Sequence, residues 1–143
     1  MLFRSGLDWG RFNSNVESIL ADTESDYKFT FVSTVNTLSI ASTKQFIEYV
    51  AMLCRKYQRP IGIVNNIVDW PFHQRPNILT PDFASYLDDC VAYMKEQQDI
   101  IDMTQGLTTD RWTQYIEFLE SLSYNIKTET DDRTAYQIGR AHV

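Results

Sequence analysis

The chain has 143 residues, 43% hydrophobic and 22% charged, a composition that fits one globular domain and excludes an intrinsically disordered segment. It is too short for a complete eight-stranded α/β barrel, which takes about 200–250 residues. Thirteen Lys and Arg against nineteen Asp and Glu give a net charge of −6 with no basic cluster, so no nucleic-acid partner is expected. No apolar run approaches the roughly 18 residues of a membrane span, and no basic-then-apolar leader occurs. Neither a membrane partner nor a signal peptide is therefore expected, and the cytoplasm is the expected location. Cys54 and Cys90 are too few and too far apart for a disulfide framework or a close metal pair.

Asp8 is placed to cap a first helix that carries Trp9, Phe12, Val16, Ile19 and Leu20 on one stripe. A polar loop, Asp22-Thr23-Glu24-Ser25-Asp26, separates it from an alternating stretch, Tyr27 to Asn36, rich in aromatic and β-branched residues. That stretch predicts a strand with Phe29 and Phe31 on one face and Thr30, Val32, Thr34 and Asn36 on the other. Ser42 is positioned to cap a second helix through about Tyr57, with Phe46, Val50, Leu53, Cys54 and Tyr57 at helical spacing. Pro60 opens a second strand, Ile61 to Val68, whose nearly continuous apolar run suits a parallel strand covered by helices. After the loop Trp70-Pro71-Phe72-His73, the pair Thr80-Pro81 predicts an N-cap and first helical position. The helix it opens carries Phe83, Tyr86, Leu87, Cys90, Val91 and Met94 on its apolar stripe, with Asp88 and Asp89 on the solvated side. A last helix near Thr109–Leu122 aligns Trp112, Tyr115, Ile116, Leu119 and Leu122. The predicted order is α-β-α-β-α-α, an α/β chain with parallel strands. Two strands make a poor sheet core under that many helices, so the chain reads as part of a larger α/β fold.

Catalytic signatures are few. There is no glycine-rich phosphate loop, nucleophile elbow or zinc motif. His73 stands alone in its loop, and both cysteines lie on apolar helical stripes, where thiols act as small hydrophobes. Asp131-Asp132-Arg133 reads as a solvated turn. Ligands of parallel α/β folds sit beyond the carboxyl ends of the strands. Those ends are Thr34-Val35-Asn36 and Asn65-Asn66-Ile67-Val68, and alternation puts Thr34, Asn36, Asn66 and Val68 on the face opposite Phe31 and Ile63. These polar residues are either ligand contacts or partners for loop backbone, with Trp70-Pro71-Phe72 as a lid or a packed crossover.

Taken in order, these segments resemble the second half of a radical S-adenosylmethionine (SAM) enzyme. Arg4-Ser5-Gly6-Leu7-Asp8-Trp9, with Phe12 and Asn15-Val16, resembles the segment after the fourth barrel strand of that family. Phe31 to Ser39 resembles the fifth strand, Asn65 to Pro71 the sixth strand and its exit, and Ile78 to Phe83 the helix entry that follows. The nearest subgroup is the one with a short "twitch" region. The resemblance implies an incomplete parallel (β/α) barrel fragment over residues 1–124, with 125–137 a linker or the start of an auxiliary region. It also implies that Met1 lies inside a longer protein. The family's [4Fe–4S] cluster sits on a Cys-x3-Cys-x2-Cys loop and reduces SAM to a 5′-deoxyadenosyl radical. That loop is absent here, and so is the glycine-containing pattern some members carry on the fifth strand. By resemblance, Arg4 and Asn36 contact the methionyl or ribose part of SAM and Val68 the adenine.

The last six residues, Ile138-Gly139-Arg140-Ala141-His142-Val143, resemble one reading frame of a common sequencing-library adapter and are set aside as a non-native tail, which leaves a net charge of −7. Two functions follow as expectations. In the first, SAM and [4Fe–4S] belong to the full-length parent and do not bind this chain stably; the chain's partner is the missing N-terminal half, and the substrate is a peptide or small molecule. In the second, the chain is a small acidic interaction or scaffold domain without catalysis.

Overall fold

A computed structural model of the chain describes residues 8–22, 28–35, 39–67 and 81–128. Among these residues five α-helices and two strands follow in the order α1 (Trp9–Ala21), β1 (Phe29–Val35), α2 (Thr43–Tyr57), β2 (Ile61–Ile67), α3 (Ala84–Glu96), α4 (Gln98–Thr104) and α5 (Trp112–Thr128). The class is mixed α/β, dominated by helix. Its sheet has two strands, β1 and β2, paired in parallel with Phe29 opposite Ile61, Thr30 opposite Gly62, Val32 opposite Val64 and Thr34 opposite Asn66. The predicted strand ends at Tyr27, Asn36 and Val68 lie outside the described residues, as do the 70–73 loop, Thr80, and the turn and tail beyond Thr128.

Helix signals acted where local chemistry was decisive. Asp8 caps α1, its carboxylate accepting from the Arg11 N–H at 3.1 Å. The other end of α1 is closed by Arg59, whose guanidinium donates to the carbonyls of Leu20 and Asp22, each at 3.2 Å. Ser42 does not cap α2. A 3-10 turn over Ile40–Ser42 precedes the helix, and both Ser42 and Thr43 donate their hydroxyls to the Ser39 carbonyl at 3.0 and 3.1 Å. A 3-10 turn over Pro81–Phe83 likewise delays α3 to Ala84. α2 ends at Gln58, held left-handed at φ 51°, a conformation usually given to glycine.

Three predicted stripes need correction. Ile19 is exposed, because Val16 and Leu20 centre the buried face of α1 and Ile19 lies roughly 80° round from that centre. Phe83 and Tyr86 are exposed and lie against each other, 6.0 Å between ring centroids, while Leu87, Cys90, Val91 and Met94 are buried. α2 buries more than its predicted stripe: Ile47, Tyr49 and Ala51 join Val50, Leu53 and Cys54, because the helix is packed on two sides. The predicted order also lacked α4, whose seven residues are too few to display a period.

Among the described residues, the helices that cover the sheet lie on one of its faces. Phe31 meets Phe46 and Tyr49 of α2 edge-on at 5.5 and 6.3 Å, and Trp9 of α1 meets Tyr49 at 4.9 Å. On the same face Ile61 and Ile63 are buried, and the Tyr115 hydroxyl of α5 donates to Ser33 Oγ at 3.2 Å. The core continues through α3 and α5, where Leu87, Met94, Trp112 and Leu119 are fully buried. The opposite sheet face is exposed in part: Val32 is 67% exposed, Asn66 is exposed and Val64 is half-buried, while Gly62 is buried.

Candidate functional site

The strand ends are the candidate site, and pairing brings part of it together. Thr34 and Asn66 are register partners at the carboxyl ends of β1 and β2, and Asn66 and its neighbour Asn65 are exposed. Arg4, Asn36 and Val68 lie outside the described residues, so of the five predicted contacts two are seen side by side. Asn66 is exposed, so its amide is hydrated and free of the roughly 1–3 kcal/mol cost of an unpartnered buried amide.

A second polar cluster was not predicted. Asp110, in the segment between α4 and α5, is 6% exposed, and the Thr30 hydroxyl donates to its carboxylate. The Asp110 carbonyl also accepts the Ile63 N–H at 3.3 Å, so the residue wraps the outer edge of β2 and reaches over its open face. Gly62 makes this possible, since a Cβ there would stand 2.7 Å from Asp110 Cβ and closer still to its carboxylate. An isolated glycine inside an apolar strand is the one sequence signal that pointed to such an approach. Thr30 and Gly62 lie four residues before Thr34 and Asn66, roughly 13 Å down the strands. Asp110 is therefore a tie between segments rather than part of the strand-end site.

The cysteines are poorly matched to iron. Burial pushes the Cys54 thiol up to about 11 and the Cys90 thiol up to about 12, and both side chains are fully buried. A cluster ligand must be a thiolate. No group of three or more His, Cys, Asp or Glu is arranged to hold a metal ion among the described residues. Among the same residues, no helix is long and apolar enough to cross a membrane.

The remaining charged contacts fasten helices. Glu17 on α1 takes Lys56, the Tyr57 hydroxyl at 2.8 Å and the Asn13 amide at 2.9 Å, and the Lys56 hydrogen bond leads in holding its carboxyl below the usual range. Arg55 at the end of α2 grips Asp99 of α4 with two hydrogen bonds of 3.0 and 2.9 Å, which lower the carboxyl. Asp88 is not simply solvated as predicted: it accepts from Ser123 at 2.6 Å and Lys127 at 2.9 Å on α5. Burial works against its charge, but these two donors outweigh it and lower the carboxyl. Asp89, its neighbour, is exposed.

No protein-family model, curated protein or solved structure matches this chain.

Proposed function

We propose that the chain is the second half of a radical SAM-type partial barrel, supplying SAM and substrate contacts from the ends of its two strands. The observation that carries this reading is the one-sided sheet. Among the described residues helices cover the face of Phe31 and Ile63, while on the other face Val32 and Asn66 are exposed and Val64 is half-buried, as the interior side of a barrel strand pair is when the rest of the packed barrel is missing. Two further features support it. The strands run parallel, so Thr34 and Asn66 stand at the end where α/β folds bind ligands. The Asp110 carbonyl takes the outward Ile63 N–H of β2, which suits a strand at which a partial barrel stops.

The residues present do not fit the [4Fe–4S] cluster: Cys54 and Cys90 are 36 positions apart, buried, and held as thiols. In this reading the cluster belongs to the missing N-terminal half, and the chain alone does not cleave SAM. Long-read sequencing of the source locus is the first test. An upstream frame that runs into Cys-x3-Cys-x2-Cys supports the reading, and formation of 5′-deoxyadenosine by the extended protein then measures the activity. A gene that begins at Met1 ends it.

One observation favours the second reading, a small acidic interaction domain. The helical side is a closed core, with no buried side-chain nitrogen or oxygen lacking a partner among the described residues. Cooperative unfolding of the chain without its last six residues, together with a gene that begins at Met1, supports that alternative.

A further inference from the structure

The helices differ in how deeply they are set. α2 buries seven of its fifteen residues and α5 seven of its seventeen, whereas α1 buries two of thirteen, Val16 and Leu20. Trp9 and Phe12 of α1 are half-buried. Polar ties to α2 and the turn after it do much of the fastening, and Glu17 is their hub. Its carboxylate takes Lys56, the Tyr57 hydroxyl at 2.8 Å and the Asn13 amide N–H at 2.9 Å. Asn13, so oriented, turns its carbonyl oxygen to the Tyr49 hydroxyl, which donates to it at 2.5 Å. At the two ends of α1, Trp9 lies edge-on to the Tyr49 ring and Arg59 holds the Leu20 and Asp22 carbonyls.

A helix docked in this way opens more easily than one set in a core. Opening costs free energy in proportion to the apolar area returned to water, and ties between partly exposed charges add little to that cost. Elements with few buried apolar residues therefore open as units at a free energy below that of global unfolding. The rest of the core has its own support: α3 packs against both α2 and α5, and α5 packs against β2.

From this we infer that α1 is a strap that opens from α2 as a unit while the sheet and the other helices stay folded, with Glu17 as its latch. Opening uncovers Tyr49, 8% exposed in the closed form, and with it one side of an aromatic cluster in which Phe31 meets both Tyr49 and Phe46. The strap thus governs access to that cluster. The inference does not rest on the radical SAM reading, which the upstream gene sequence decides.

The test is native-state hydrogen exchange of the full chain, read amide by amide in urea kept below the unfolding transition. The interior amides of α1 are expected to share one opening constant, at least about tenfold larger than that of the α2, α3 and α5 amides, as a separate cooperative unit does. That constant should rise with urea, with a slope smaller than that of global unfolding, because a partial opening exposes less surface. Glu17→Gln should speed all the α1 amides together by about threefold and leave those of α3 and α5 unchanged, a modest factor because the tie is partly exposed. Asp88→Asn, which loosens α3 from α5 instead, should leave the α1 opening constant where it was. Exchange of α1 only through global unfolding would overturn the inference. So would graded, urea-independent exchange along α1, which is fraying, or an equal response of every helix to Glu17→Gln. Should Glu17→Gln fail to fold, the urea series on the unaltered chain still decides.

Discussion

Gly62 and Asp110 are the pair on which the α4–α5 segment is fastened to the sheet. The hydrogen at position 62 leaves the space that Asp110 fills, and the carboxylate there is anchored by Thr30 on the neighbouring strand. Gly62→Ala is therefore expected to lower stability by about 3 kcal/mol, measured by urea unfolding, as other forced overpackings do. Adding Asp110→Ala should recover part of that loss, because the second change removes the atoms that the new methyl meets. A strictly additive double variant would show that the contact is not the cause. The glycine was visible in the sequence as a break in an apolar run, but its partner was not. Nothing in an aspartate 48 positions away announces that it will cross a strand edge. Asn66 is the opposite case: as a polar residue at the end of a predicted strand it could be named before its surroundings were known.

Among elements, periodicity found the four long helices and both strands, and it erred where a face had more than one neighbour. A stripe gives the mean direction of burial, not its width. α2 is buried more broadly than its stripe because it touches α1, α3, α4 and β2, whereas Phe83 and Tyr86 are exposed and lie against each other at the start of α3. α4 is held by the Arg55–Asp99 pair and by its buried Ile100, not by a period of its own. The three carboxylates that join helices also set the pH response. Glu17, Asp88 and Asp99 all have lowered pKa values in the fold, so each contributes stability that is present above its ordinary pKa near 4 and is lost as the pH falls through its folded value. Thermal melts should be flat from pH 7 to about 5 and fall steadily below about 4. Asp88→Asn should remove part of the fall with a small cost at neutral pH, about 0.5–1 kcal/mol, because the site is half exposed. A Tm that rises on acidification would contradict this assignment of the three carboxylates.

For the molecule as a whole, the arrangement turns on Trp112. Its ring is fully buried and its indole N–H donates to the Ile61 carbonyl, so one side chain both anchors α5 in the core and helps close the β2 edge. Trp112→Phe should cost about 2–3 kcal/mol, through lost volume and an unpartnered carbonyl. It should also speed hydrogen exchange at the Ile63 amide more than at the amides of α2. Uniform acceleration throughout the chain would mean that Trp112 serves the core alone. The sequence by itself determined the elements that local chemistry dictates: the Asp8 cap, the alternation of β1, the apolar run of β2 and the amphipathic helices. It also placed Thr34 and Asn66 at strand ends, since that follows from strand length and direction. Only the tertiary structure decided that α2 and α5 pack on the face of Phe31 and Ile63, that Asp110 and Trp112 bond the outer edge of β2, and that Asp110 lies over Gly62. Those outcomes depend on contacts between residues far apart in the chain, where packing and hydrogen bonding, rather than any local period, select the partner.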